Sequence, residues 1–425
     1  MQNEKTAIRG SVILAIARVS TMVLGFGINV LLPRILPIDG LGTYFLLTSF
    51  SQVAALIALG GFNQSAVSLL SGSDRGLPIL RGSGLFLILT ISITCGVAIL
   101  FMPLIPMSDG AVTYMAILLI WIVARATTQA LAHILRAFGR MTDFGLHEVF
   151  SFNLLLFIAC ALAFALGRTP NLTQIVWITA IAAALCVPLS IGSLIPALRA
   201  LPRMSGVDVA PVVKTSLPLA IIVIANTALS EAHLWIAGAL GDTETVALFG
   251  AALRVVRLLS LPLMAVNMAI GPQIAHLWKA NETVPLEQLL RRSATVIMVI
   301  SLTMMSGLAV AGPSILNLIF GDAFASAWPA FLILLVGQTV NATTGSPMLV
   351  LTVTNGQRVA MFFAVLASVT GVGVSLILGQ IDPLWGVAIG ASVTVIVQNL
   401  LAVRYCSVRM GIKTYPTLRF GKEPF

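Results

Sequence analysis

The chain has 425 residues, 58% hydrophobic and only 9% charged, where water-soluble domains carry about 25% charged residues; a water-soluble globular fold is excluded. The formal charge is +9, but Lys and Arg sit in short gaps between long apolar runs, a pattern that speaks of membrane orientation and not of nucleic acid. Cys95, Cys160, Cys186 and Cys406 lie in or beside apolar runs without C-x-x-C spacing, and the histidines are not clustered, so no disulfide framework, metal site or cofactor is expected.

A spanning helix needs roughly 20 mostly apolar residues. Twelve such stretches are expected, near residues 11–32, 42–62, 83–103, 111–133, 145–166, 173–195, 217–240, 246–270, 294–316, 328–350, 359–379 and 384–404. The fold class is therefore an all-α membrane protein. A charge near the bilayer centre costs about 2.5–3.5 kcal/mol on insertion scales, so polar residues inside these stretches carry the functional information.

Span one follows Lys5 and Arg9, and its length and the second span behind it mark an uncleaved helix, not a signal peptide. It places Arg18, Met22, Gly25 and Asn29 on one face, with Gly25 and Gly27 allowing a bend or a close helix contact. Arg18 either snorkels to the cytoplasmic surface or lines a cavity. Span four presents Arg125, Gln129, His133 and Arg136 at i, i+4, i+8 and i+11, a polar stripe along one face. Arg136 reads as the cytoplasmic anchor and His133 as an interfacial histidine. His147 and Glu148 open span five as an interfacial pair.

Span seven has Pro218 near its start and Asn226, Glu231 and His233 further in. Span eight holds Arg254 and Arg257 at i, i+3 on one face. Arg257 lies roughly 18 Å into its span, beyond easy snorkelling; it forms a cationic cavity wall or a salt bridge to a neighbouring helix. Glu231 either pairs with Arg254 or Arg257 or is a protonatable site that couples an ion gradient to movement. Span ten carries the neutral stripe Gln338, Asn341 and Thr344. The deep set is thus cationic, and guanidinium suits bidentate contact with phosphate oxygens, so the expected cargo is anionic.

Of the 24 Lys and Arg residues, 18 fall on the side of the N-terminus and only Arg34 and Arg168 on the other, the remaining four lying inside spans. Both termini are therefore expected in the cytoplasm. Ile35 to Tyr44, leading into span two, lines up with Ala239 to Phe249, leading into span eight, about 205 residues later. Ile134-Leu135 with Gly139-Arg140 lines up with Val350-Leu351 and Gly356-Gln357. Two parallel six-helix lobes, 1–205 and 206–410, are expected about a pseudo-two-fold axis along the membrane normal, with a cytoplasmic tail at 411–425.

Ser216-Leu217-Pro218-Leu219, the run Leu234 to Asp242 and Val246-Ala247-Leu248-Phe249 resemble the polysaccharide and oligosaccharide (Wzx-type) flippases of the multidrug/oligosaccharidyl-lipid/polysaccharide exporter superfamily. Gly40 to Phe45, Gly271-Pro272 and Gly345-Ser346-Pro347 fit the same pattern, and the similarity covers most of the chain. The resemblance implies a twelve- or fourteen-span bundle of two lobes that moves a lipid-linked sugar between leaflets by alternating access, its diphosphate held by cationic cavity residues. Arg257 to Pro262 is similar to an arginine-containing segment of the related lipid II flippases, and Gly60 to Gln64 to a segment ending their second span. Ile28-Asn29 and Ala54-Ala55 depart from charged positions of those flippases, which argues against lipid II as cargo.

The resulting expectation is a flippase of the bacterial inner membrane for undecaprenyl-diphosphate-linked oligosaccharide, serving O-antigen, capsule or exopolysaccharide synthesis. Arg257, Arg254, Arg125 and Arg18 would hold the diphosphate, and Gln129, Gln338 and Asn341 would contact sugar. Glu231 and His233 are the ion-coupling candidates, and Gly25, Gly27 and Pro218 the bending points. Expected partners are the lipid-linked substrate, membrane lipids, and the polymerase and export machinery. A drug/cation antiporter of the same superfamily would want an acidic pocket. A membrane-embedded enzyme of polysaccharide assembly would need a general base or nucleophile near a membrane face, and the short loops lack a His or Arg cluster there.

Overall fold

The computed structural model describes residues 2–71, 76–101, 111–199 and 205–416. The side chain of Arg18 lies outside the described residues, as do Arg75, Asp109, Arg203, Arg419 and Lys422 of the expected loops and tail. Every element among the described residues is a helix, and they fall into two compact units, Met1–Ala228 and Leu229–Phe425.

The first unit holds α1 (Gln2–Ile35), α2 (Ile38–Leu59), α3 (Phe62–Leu70), α4 (Gly76–Phe101), α5 (Ala111–Ala137), α6 (Met141–Gly145), α7 (Ser151–Ala165) and α8 (Leu172–Arg199). It also holds the first part of α9 (Ala210–Leu240). The second holds the rest of α9, α10 (Thr243–Leu258), α11 (Leu261–Lys279), α12 (Thr283–Phe320), α13 (Trp328–Thr343), α14 (Pro347–Val353), α15 (Gln357–Leu378) and α16 (Pro383–Arg409). Among the described residues ten stretches are long and apolar enough to cross a membrane, eleven counting the α10–α11 pair, which bends by 42°, where twelve were expected; in α1 the apolar run among them is the shorter Val19–Ile35.

Several expected spans are interrupted where glycine or proline makes continuation costly. Span two breaks at Gly60 and Gly61, both at positive φ (53° and 80°), and span ten breaks at Gly345 (φ 74°) followed by Pro347. Span five begins with α6 and a π-turn over Leu146–Phe150 before α7. Asp242 and Asp382 cap α10 and α16, each accepting a backbone N–H at 2.8 Å, from Thr245 and Trp385.

In lipid, helices are held by close packing and not by expulsion of apolar surface from water. The α15–α16 seam shows this: Gly371, Ser375 and Gly379 face Gly386, Gly390 and Thr394, and a Cβ on Gly390 would stand 2.8 Å from the Ser375 nitrogen. At one end of each unit an apolar cluster forms from corresponding elements. In the first unit Leu59, Phe62, Leu69, Ile79, Leu135, Leu194 and Val212 pack together; in the second, Ile270, Ile274, Leu286, Leu290, Val350, Cys406 and Ile412.

An extended segment follows the last helix of each half, and in the second unit its Ile412 joins the cluster. Asp208 donates its N–H to the Pro78 carbonyl at 3.0 Å, and Gly411–Thr414 runs with Ile412 and Thr414 fully buried. The early part of α9 joins the first unit because the Gly61 break seats on it at Ser216 and Ala220. For this reason the compact units meet at 228/229, inside α9, where the expected lobes divide at 205/206.

Candidate functional site

In the first unit the polar stripe of α5 faces span five. The Arg125 guanidinium lies over the ring of Phe152, 4.4 Å from its centroid, and its Nη1 is buried without a hydrogen-bond acceptor among the described residues. Glu148 and Cys186 stand within electrostatic range of it. Gln129 Oε1 and His133 Nδ1, one and two turns along, are likewise buried without partners. The His133 ring tilts on Phe144 at 5.2 Å, and Arg136 lies over the same ring at 5.3 Å. His133 is buried within the protein.

The π-turn adds a residue to one turn of span five and rotates α7 relative to α6. On it His147 Nε2 meets Ser193 Oγ at 2.8 Å, while Arg140 binds Asp143 and the Ser193 carbonyl. An unbonded guanidinium donor in an apolar setting costs about 1–3 kcal/mol, and Arg125 Nη1 carries that cost among the described residues.

α1 runs unbroken through Gly25 and Gly27. A Cβ on Gly27 would lie 2.6 Å from Cε2 of Phe157, and one on Gly25 at 3.5 Å from Asn153 Nδ2. Asn153 also donates to the Thr21 carbonyl at 3.1 Å. The two glycines therefore serve close contact with α7. Asn29 turns back on its own helix, donating to the Gly25 carbonyl at 2.7 Å. Pro218 lies inside α9, beside the seat of Gly61, where Ser65 Oγ and Ser216 Oγ meet at 2.6 Å.

In the second unit Arg257 and Glu231 form an ion pair, Nη2 to Oε1 at 3.7 Å. Glu231 is mostly enclosed, 12% exposed, whereas 54% of the Arg257 side chain is open. Arg257 occupies the last turn of α10, where the helix dipole favours a cation, and its carbonyl accepts Ser260 Oγ at 2.6 Å at the bend. Arg254, one turn earlier, donates to the Gly250 carbonyl of its own helix at 3.0 Å. The two arginines share a face of α10.

His233 is buried with both nitrogens engaged, Nδ1 to Ser375 Oγ at 2.9 Å and Nε2 to Thr394 Oγ1 at 3.1 Å. It ties α9 to the α15–α16 seam. Gln338 accepts from Asn341 at 3.0 Å, and Thr344 Oγ1 donates to Asn399 Oδ1 at 3.2 Å. Ser346 bonds Asn267 across the span-ten break. No group of three or more His, Cys, Asp or Glu able to hold a metal ion occurs among the described residues.

Sequence reasoning found the arginines, Gln129, His133 and Glu231 but missed Phe152, Phe144, Ser375, Thr394 and Asn399. The aromatic partners carry no signal in an apolar run, since a phenylalanine that backs a guanidinium reads like one that faces lipid. Ser375 and Thr394 were findable as members of small-residue stripes at four-residue spacing.

No protein-family profile and no curated protein matches the chain in sequence. Solved structures do match in shape. An inward-facing multidrug resistance MATE family transporter of the MOP superfamily superposes with a TM-score of 0.71 at 17% identity, covering 92% of this chain and 94% of that one. The lipid II flippase MurJ in an inward closed conformation gives 0.68 at 13% identity, over 93% and 88%. A MOP superfamily transporter from Pyrococcus furiosus, noted for the reverse polarity of its binding pocket, gives 0.60 at 14% identity, over 96% of each chain. The chain is an all-helical membrane protein of two lobes with the fold those transporters share.

Proposed function

We propose that the protein is a flippase for a lipid carrying a diphosphate-linked oligosaccharide, moving it from the cytoplasmic to the periplasmic leaflet of a bacterial inner membrane by alternating access. One observation carries the reading: buried or half-buried arginines inside the spans of both halves, Arg125 with a donor that no protein acceptor uses among the described residues and Arg257 half open at a helix bend. A cationic lining suits an anion, and guanidinium is the group best matched to phosphate oxygens. Fold neighbours that are a multidrug transporter and a lipid II flippase are compatible with either cargo; the sign of the intramembrane charge supports the anionic lipid. Arg257, Arg254, Arg125 and Arg18 would hold the diphosphate, with Gln129, Gln338 and Asn341 toward the sugar. Surface-polysaccharide polymerase and export proteins are the natural recipients of the product.

The second reading, a multidrug antiporter, is favoured by the likeness to the inward-facing MATE transporter. The experiment that separates the two monitors a fluorescent short-chain polyprenyl-diphosphate sugar in proteoliposomes as an outer-leaflet quencher reaches it. Quenching that Arg257→Ala abolishes, with the lipid chemically unchanged, supports the flippase. Unquenched lipid together with movement of a cationic dye would assign the protein to the antiporters.

A further inference from the structure

An ion pair joins two membrane spans, Glu231 on α9 with Arg257 on α10. Two further pairs, Arg140 with Asp143 and Arg291 with Glu287, each lie within a local i,i+3 or i,i+4 segment. Glu231 and Arg257 are unequally enclosed: the carboxylate is held in the protein, the guanidinium is half open. The pair is also loose, at 3.7 Å and through one nitrogen, where a bidentate contact would close to about 2.7–2.9 Å. Arg254 is turned to the Gly250 carbonyl, and His233, two residues along α9, is bonded to Ser375 and Thr394.

We infer that Glu231 is a resident anion that occupies Arg257 between substrates and is displaced by the incoming diphosphate, so that it sets the affinity of the site. This rests on the flippase reading and gives Glu231 a positioning role within it. A naked guanidinium at membrane depth is costly, and so is a diphosphate site too tight to release. Exchanging one anion for another at the same guanidinium avoids both. The open side of Arg257 admits the second anion before the first has left, and the enclosed Glu231 stays near enough to return. Arg125, stacked on Phe152, has no carboxylate at salt-bridge distance among the described residues and so is not subject to this exchange.

The test measures farnesyl diphosphate binding to the full chain in nanodiscs of neutral phosphatidylcholine. Glu231→Gln is expected to tighten binding about tenfold, which corresponds to about 1.4 kcal/mol, and Arg257→Ala to weaken it at least tenfold. In the double variant the tightening should vanish, because the competition runs through Arg257. Glu287→Gln, which removes a carboxylate paired elsewhere, should leave binding unchanged. Should Glu231→Gln fail to fold, Glu231→Asp, shorter by one methylene, should give a smaller tightening. Unchanged or weaker binding in a folded Glu231 variant overturns the exchange while leaving the flippase intact. So does tightening that survives in the Arg257→Ala background, which would be general electrostatics. Wild-type protein and Glu231→Gln that both ignore farnesyl diphosphate would overturn the diphosphate site itself, and the exchange with it.

Discussion

Gly61 rests its backbone directly on the Ser216 carbonyl, so closely that a Cβ would press into that oxygen and stand 2.6 Å from the Ala220 nitrogen. The contact joins the break in span two to the stretch of α9 that contains Pro218. Gly61 is also at φ 80°, a region that costs an ordinary residue roughly 1–2 kcal/mol before any clash is counted. Gly61→Ala should therefore lower the thermal unfolding midpoint in detergent by several degrees, whereas Gly84→Ala, which meets nothing within 4 Å, should leave it unmoved. Equal midpoints for the two variants would mean that the span-two break is not seated on α9.

Phe152 should matter to anion binding without touching the anion. A desolvated guanidinium over an aromatic face gains about 2 kcal/mol, and with that support Arg125 keeps its position while Nη1 stays unbonded. Phe152→Leu keeps the apolar volume and loses the ring's negative face. Farnesyl diphosphate should bind roughly tenfold more weakly to this variant, and Phe152→Tyr should restore it. Identical binding by the Leu variant would reduce Phe152 to packing.

The helical, apolar character of the spans was legible because apolar length is a local property that no tertiary contact alters; their number was not, since twelve were expected where ten stretches, or eleven with the bent pair, qualify among the described residues. The stripe of α5 was legible for the same reason, since helical spacing alone puts Arg125, Gln129 and His133 on one face. The interruptions were less so. Gly345-Ser346-Pro347 stands inside an expected continuous span at 328–350, yet the chain breaks there because Gly345 takes φ 74° and Pro347 cannot donate to the preceding turn. Arg254 and Arg257 share a face by spacing, but their partners depend on neighbours: a carbonyl within α10 for one, a carboxylate on α9 for the other. The role of His233 was equally hidden, since its two hydroxyl partners lie 142 and 161 residues further along the chain.

The Asp242 cap gives a pH signature outside the membrane-spanning helices. Its carboxylate accepts from the Thr245 N–H at 2.8 Å and the Thr245 hydroxyl at 2.7 Å, and these bonds hold its pKa below the ordinary carboxylate value. A carboxyl depressed in the folded state stabilises it above the unfolded pKa, near 4, and the contribution disappears as pH falls through the lower folded value. Asp242→Ala should cost about 1 kcal/mol at neutral pH, as cap removal usually does. Its unfolding midpoint should converge on that of the wild type as the solution is acidified well below pH 4. A deficit that persists undiminished in acid would assign the loss to something other than the charged cap.

The segment after α16, expected as a cytoplasmic tail, packs as part of the second unit. Ile412 and Thr414 are fully buried, Thr414 Oγ1 donates to the Thr344 carbonyl at 3.2 Å and the Lys413 N–H to Glu287 Oε2 at 3.3 Å. The Thr414 carbonyl closes on Gly345, where a Cβ would stand 2.9 Å from the Ala294 methyl as well. The same segment thus pins the span-ten break and the start of α12, as Asp208 pins the start of α4 in the first unit through the Pro78 carbonyl. Burying an isoleucine contributes about 1.5–3 kcal/mol where the alternative is water. A chain ending at Met410 should accordingly unfold at lower temperature than one ending at Pro416, and Gly345→Val should reproduce much of that loss in the full-length chain by pushing the segment off its seat. Limited proteolysis gives the independent check: Lys413 should resist trypsin in the intact protein and become cleavable in Gly345→Val. Cleavage at Lys413 with equal ease in both would show that the contacts of Thr414 do not hold the segment down.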